Sequence, residues 1–252
     1  FCRTHRRDRW PKGRALCGRL CDGDYFQDRV HWRTIAQESQ PGSNSTIGYN
    51  SSMDMEAEKE LATRLETVLE RIAEAASRAE RVPADITLVA VTKTWPVETV
   101  AAAYEAGIRH IGENRAGELS HKKAQLLELL PDATDLMWHQ IGTLQSRKTK
   151  LVAEDADYFH ALDRMKIARR LSRQLVDGNR SLPVLIEVNL SGESSKSGFL
   201  VNNWEEDATQ RESLRKVSET IAQLPGLQLQ GLMTMAPWDV EEKLIRSVFR
   251  RT

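Results

Sequence analysis

The sequence predicts an α/β fold in which parallel strands alternate with helices, and three observations carry that prediction. The stretch ITLVAVTKT, residues 86–94, runs aliphatic and β-branched from Ile86 to Val91 with a single threonine and no polar alternation. Such a run suits a strand buried on both faces, as in parallel sheets wrapped by helices. Further apolar runs then recur between amphipathic windows along the chain. Glycines and prolines punctuate the windows where helices should stop.

Taken in order, Leu61, Leu65, Val68 and Ile72 form one helical stripe with Glu and Arg on the other face. Strands are expected at 86–92, 108–112, 136–141, 157–161, 183–190 and 228–235, and helices near 97–106, 115–130, 164–177 and 205–224. Gly107 and Gly178 follow two of these helices as C-terminal caps, and Pro131 and Pro225 stop the other two. A segment at 144–154 can supply the remaining crossover helix. Regular alternation implies parallel pairing with right-handed crossovers, in a (β/α)₈ barrel or an open doubly wound sheet. Neither a Gly-x-Gly-x-x-Gly fingerprint nor a Walker loop is present, which weakens the nucleotide-binding version of the open sheet.

Residues 1–52 read differently, with scattered Arg, Trp and Cys followed by the Ser/Gly/Asn-rich SQPGSNSTIGYNSS. Asp8, Asp22, Asp24 and Asp28 argue against a transit peptide, and no apolar core suits a secretory signal. The expectation is a disordered or non-native N-terminal extension over 1–52, ahead of a barrel over 53–252. The three cysteines, Cys2, Cys17 and Cys21, all fall in that first segment, which points the rest of the chain to a reducing compartment. Lys and Arg total 36 against 36 Asp and Glu, so no global field draws in nucleic acid or an anionic membrane. No apolar stretch approaches the roughly 20 residues of a membrane span. These features lead to the expectation of a cytoplasmic protein, with an organellar copy as the alternative.

Polar residues gather where the strands should end. Lys93 closes the first strand, at the end where helix-wrapped parallel barrels place their chemistry. A lysine held against apolar packing is desolvated and exposes its nucleophilic neutral form, as a Schiff base with an aldehyde requires. Glu113 and Asn114 follow the second strand; His139 lies in the third, with Gln145 beyond it. Asp163 follows the fourth, Asn189 and the SGESSKSG loop follow the fifth, and Met233 and Thr234 close the sixth. Each has a plain explanation. Asn114 and Asp163 suit helix caps, His139 a core histidine bonded to backbone, Met233 core packing, and Lys196 and Arg147-Lys148-Lys150 solvated charge. Their recurrence at one end of successive strands is what a ligand site on a barrel's top face requires. No zinc-like spacing or serine nucleophile elbow is present.

The blocks VAVTKT, HIGENRAGEL, WHQIGTLQSRKTK, FHALDR, LIEVNLSGESSKSGF and LQGLMTM resemble, in order, those of the pyridoxal phosphate homeostasis proteins. The resemblance runs from about residue 60 to the C-terminus. It implies a (β/α)₈ TIM-type barrel of the alanine racemase N-terminal type, binding pyridoxal 5′-phosphate without established turnover. By the same resemblance Lys93 is the Schiff-base lysine, and Asn114, His139 and Met233 line the cofactor pocket. It further implies a monomer and pyridoxal phosphate-dependent client enzymes. Set against that pattern, the chain is expected to be truncated after about six strands. The segments carrying the family's phosphate contacts would then be lost, and the product would be poorly soluble or partly folded.

Two other functions compete. An amino-acid racemase on this barrel needs a second acid/base on the opposite face, since one base cannot both remove and return the proton. The tyrosines are Tyr25, Tyr49, Tyr104 and Tyr158, of which only Tyr158 falls in an expected strand. A Schiff-base aldolase would use a lysine deeper in a later strand, and none stands out. The remaining alternative is a fragment without cofactor function.

Overall fold

The computed structural model describes residues 14–15 and 51–252, with side chains from residue 59 onward. Apart from Arg14–Ala15 and the start of the first helix, the expectation of disorder over 1–52 lies outside the described residues.

Helix α1, Ser51–Arg78, presents the predicted stripe, whose far end, Ile72 and Ala76, is buried. Strand β1, Arg14–Ala15, pairs in parallel with β2, Ile86–Thr87. The main sheet has seven parallel strands. They are β3 Ala90–Val91, β4 His110–Glu113, β5 Met137–Gln140, β6 Tyr158–Leu162, β7 Leu182–Asn189, β8 Phe199–Leu200 and β9 Leu227–Met233. Between them run α2 Val97–Glu105, α3 Ala116–Leu129, α4 Thr149–Asp155, α5 Met165–Asp177 and α6 Ala208–Ala222. Helix α7, Glu242–Arg251, follows β9.

The strands pair in the order β3-β4-β5-β6-β7, with β8 and β9 both on β7. β8 was not anticipated, because a two-residue strand beside the end of β7 leaves no periodic trace. The expected first strand is split: β2 and β3 are separated by Leu88 and Val89. Nor is it buried on both faces. Residues 86–90 are half-buried and Val91 is 39% exposed. The physical reason is that β3 pairs with β4 alone among the described residues, and the sheet stays open between β3 and β9. The central strands β6 and β7 are buried at every position but one each, Tyr158 and Pro183.

The helix stops follow local backbone chemistry. After α2, the Gly107 amide donates to the Tyr104 carbonyl at 3.0 Å and the Ile108 amide to that of Ala103 at 2.9 Å. This arrangement places the left-handed turn on Gly107, at φ 98°. After α5 the expectation shifts by one residue: Gly178 has φ −87°, and Asn179, at φ 49°, takes the left-handed position.

The two faces of the sheet differ. Ile111, Trp138 and Phe159 are all but fully buried. They share a face with Glu113, which bonds Lys122 of α3, so that face meets the helices. Helix α5 packs its Ile167, Ala168, Leu171 and Leu175 into the same core, each at 0% exposure. Alternate residues, including Gly112, His139 and Tyr158, occupy the opposite, concave face.

Candidate functional site

Lys93 sits half-buried in the turn after β3. Its neighbours on both sides are clamped. The Thr92 hydroxyl donates to Glu113 Oε1 at 2.6 Å, and Lys122 Nζ donates to the Thr92 carbonyl at 2.8 Å. Lys122 Nζ also lies 2.7 Å from Glu113 Oε1 and 2.9 Å from Glu118 Oε1. On the far side, the Thr94 amide donates to the Glu118 carboxylate at 2.8 Å. Thr94 has φ 68°, a left-handed conformation that is strained for a β-branched residue. The Trp95 amide closes the turn onto the Thr92 carbonyl at 3.0 Å. Glu113 is fully buried, and its desolvation outweighs Lys122 and Thr92, leaving the carboxyl above its ordinary pKa.

Strand register sets what surrounds the lysine. Val91 pairs with Gly112, Gly112 with His139, and His139 with Tyr158. The same registers, carried two residues toward the C-terminal end, place Lys93, Asn114, Ile141 and His160 in the next layer. By that continuation Asn114 falls in the layer of Lys93. It does not cap α3, whose N-cap is Arg115 without a side-chain bond. Its backbone is held instead: Gln140 Nε2 donates to the Asn114 carbonyl at 2.9 Å and to that of Gly142 at 3.0 Å. A Cβ on Gly142 would fall 2.4 Å from the Asn114 carbonyl oxygen, so only glycine permits this crossing. The GEN and IGTLQ blocks are thereby one unit.

His139 is buried one layer below, and its partners are rings rather than backbone. Its Nε2 lies 2.9 Å from His110 Nδ1, and its Nδ1 lies 2.8 Å from His160 Nε2. Tyr158 stacks on it at 5.2 Å and 15°. Burial, reinforced by the two neighbouring imidazoles, holds His139 down at about 2, and burial alone holds His160 at about 4.

Met233 closes β9 at 5% exposure, paired with Glu187 of β7. Val184 pairs with Phe159 on the helix side, so Leu185 and Glu187 alternate onto the concave face, opposite Gly231 and Met233. Glu187 is 6% exposed, with no partner for Oε2 among the described residues. Burial, with a contribution from the Asp163 carboxylate, pushes it up to about 7. Asp163 does not cap α5; it pairs with Arg164 at 2.5 Å, and its Oδ1 is buried without a partner. Asn189 ties its own loop, accepting the Gly192 amide at 2.9 Å and donating to the Glu193 carbonyl at 2.9 Å. Thr234 donates to the Val188 carbonyl at 3.0 Å. Lys196 is not simply solvated, since it is 16% exposed and pairs with Glu193 at 3.3 Å.

The strand ends thus bring Lys93 and Asn114 into one layer, with His139 beneath them and Met233 across the open side of the sheet. Sequence reasoning did not single out Lys122, Glu118, His110, His160 or Glu187. For Lys122 a signal existed, because Glu118 and Lys122 stand four apart on an expected helix.

Comparison with known proteins places this geometry. Residues 64–246 match the family model described as alanine racemase, N-terminal domain. The pyridoxal phosphate homeostasis protein of Pseudomonas aeruginosa is 40% identical over 191 residues, covering 76% of each chain. An unknown protein from Bifidobacterium adolescentis superposes at TM-score 0.67 and 32% identity, covering 82% of this chain and 79% of that one. PipY of Synechococcus elongatus, solved with PLP bound, superposes at TM-score 0.56 and 34% identity, covering 71% and 77%. The chain belongs to the alanine racemase N-terminal domain family and, within it, to the pyridoxal phosphate homeostasis proteins.

Proposed function

We propose that this chain binds pyridoxal 5′-phosphate and holds it covalently on Lys93, as a homeostasis protein that stores and releases the cofactor without turnover. The observation that carries the reading is the clamped turn. Thr92 and Thr94 are both fixed to the Glu113–Lys122–Glu118 cluster, which presents the lysine between them at a strand end. Its likeness to a PLP-bound relative supports the same assignment.

The residues present offer the group an amine and two hydrogen-bond acceptors. Glu187 Oε2 and Asp163 Oδ1, near the C-terminal ends of neighbouring strands, are buried polar atoms without partners among the described residues, and Glu187 pairs in register with the apolar Met233. A polar aromatic ligand would satisfy such atoms. When bound, the cofactor supplies an aldehyde able to condense with a lysine amine. Of this chain's residues, Lys93 supplies that amine and Asn114 a polar contact in the same layer. His139 supports the site from below, and Met233 borders it.

Racemisation is not part of the proposal. It needs a second acid/base across from the lysine. Tyr158 is stacked on His139 one layer below and does not stand at the mouth. The natural recipients in this reading are PLP-dependent enzymes, served by a monomeric carrier.

Titration of the protein with pyridoxal 5′-phosphate, followed by its visible absorbance and by equilibrium dialysis, tests the reading. A saturable visible band in the wild type, absent in Lys93→Ala, is expected. A folded wild-type protein that takes up no cofactor would end it.

A further inference from the structure

His110, His139 and His160 come from three successive strands, and their rings form one unbroken hydrogen-bonded chain. The two links are 2.9 Å and 2.8 Å, and each joins an Nδ1 to an Nε2. The chain also climbs. His110 opens β4 two residues before Gly112, His139 stands level with Gly112, and His160 stands level with Ile141 and hence with Asn114 and Lys93. Its lower end is half-buried, whereas the middle and upper rings are 1% and 0% exposed. At the upper end His160 Nδ1 is buried with no partner among the described residues.

We propose that these three histidines are a proton relay, joining the floor of the sheet to the layer that holds Lys93. The proposal rests on the reading of Lys93 as the covalent attachment point. Condensing a lysine amine with an aldehyde requires a proton to leave the ammonium group before the C–N bond forms. A proton must return when the C–O bond breaks and water leaves. A ligand seated over the lysine displaces water from it, and a protein path then supplements direct exchange with solvent.

The bookkeeping closes. With all three rings protonated on Nδ1, a solvent proton adds to His110 Nε2, and His110 Nδ1–H passes to His139 Nε2. His139 Nδ1–H then passes to His160 Nε2, and His160 Nδ1–H leaves to a water or ligand oxygen in the site. One proton enters, one leaves, and every ring ends as the Nε2–H tautomer with both links intact in the reverse direction. Condensation therefore starts from that Nε2–H state: the proton shed by the ammonium group adds to His160 Nδ1 while one leaves from His110 Nε2, and the inward passage then returns a proton and resets the chain. Burial keeps His139 and His160 neutral, which favours concerted exchange over storage of charge.

His110 bonds His139 but makes none of the bonds described for Lys93, Asn114 or Met233, so it is the place to cut the relay at its outer end. The first measurement is solvent exchange of the His160 ring N–H by ¹⁵N NMR in cofactor-free protein, in wild type, His110→Phe and His110→Gln. Glutamine retains a hydrogen bond but cannot pass a proton on by tautomer exchange. The second is stopped-flow loading and release of pyridoxal 5′-phosphate, alongside the equilibrium Kd. In both variants the exchange and the loading rate should fall about a hundredfold or more, the scale of general acid–base assistance, with Kd unchanged. Unchanged exchange and loading rates in a folded variant would overturn the relay, as would a change in Kd with the rate constant for loading preserved. If wild-type protein takes up no cofactor, the Lys93 reading fails, while the exchange measurement still decides the relay.

Discussion

Glu113 Oε1 and Lys122 Nζ meet at 2.7 Å with side-chain exposures of 0% and 7%, an ion pair buried between the second strand of the main sheet and the helix that follows it. The pair acts on the site through Thr92, whose hydroxyl and carbonyl both bond to it, and Thr92 immediately precedes Lys93. Removing one partner of a buried pair strands the other charge, whereas replacing both is far milder. Lys122→Met should therefore destabilise the protein by about 3–5 kcal/mol. The double variant Glu113→Leu/Lys122→Met should recover most of that stability while still weakening cofactor affinity, because Thr92 loses its anchors. Urea unfolding and a cofactor titration on the two variants check both parts.

Thr94 holds a left-handed backbone directly after the lysine. Such a conformation costs a non-glycine residue about 1–3 kcal/mol, against roughly 0.5–1 kcal/mol of extra unfolded-state entropy for glycine. Thr94→Gly should thus leave stability unchanged or raise it by about 1–2 kcal/mol. Relief of strain without loss of binding would show that the conformation alone, and not the threonine side chain, presents Lys93. Thermal melts and cofactor titration read the two effects separately.

The buried histidines set an acid limit. His139 and His160 are held at about 2 and about 4, below the ordinary value near 6.5 that an unfolded chain restores. Below about pH 6.5 the unfolded state binds more protons, so their contribution to stability, full above that pH, is lost for both between about 6.5 and 4 and for His139 alone from there toward 2; the shared window is about 4 to 6.5. Two such groups give a slope of about 2.7 kcal/mol per pH unit within that window. Replacing His160 with Gln should flatten the loss by about half, as chemical denaturation between pH 4.5 and 7 would show.

Glu187 works in the opposite sense. Its folded-state value is raised from 4.5 to about 7, so the folded protein holds the proton more tightly than the unfolded chain. Its contribution is present at low pH and is lost as pH rises from about 4.5 to about 7, a change of about 3 kcal/mol over the whole interval. The stability difference between Glu187→Gln and wild type should accordingly grow in the variant's favour from pH 5 to pH 7.5. A pH-independent difference would contradict the assignment.

Much of this was legible in the sequence. The alternation of strands and helices was readable because central parallel strands are continuous apolar runs, and β6, β7 and their helices lie within a few residues of expectation. The first strand was over-read: Ile86–Val91 looks like a core strand, but burial depends on what covers it, and β3 has one sheet partner. At the proposed site, Lys93 and Asn114 stand out in the sequence because strand-end polar residues break an apolar pattern. His110, His160 and Glu187 do not. Each lies inside a strand pattern, and their meaning comes from cross-strand register, which a linear reading does not contain. Asn114 and Asp163 were ambiguous because a cap and a pocket residue look alike in sequence; only the backbone at Arg115 and Arg164 separates them.

The central claim is that Lys93 is the lysine that carries the cofactor. Borohydride reduction of the cofactor-loaded protein, followed by peptide mass spectrometry, tests it most directly. The account predicts a single stoichiometric adduct on the peptide containing Lys93, and none there in Lys93→Arg. An adduct spread over surface lysines such as Lys150 and Lys216, or placed mainly on Lys196, would contradict it.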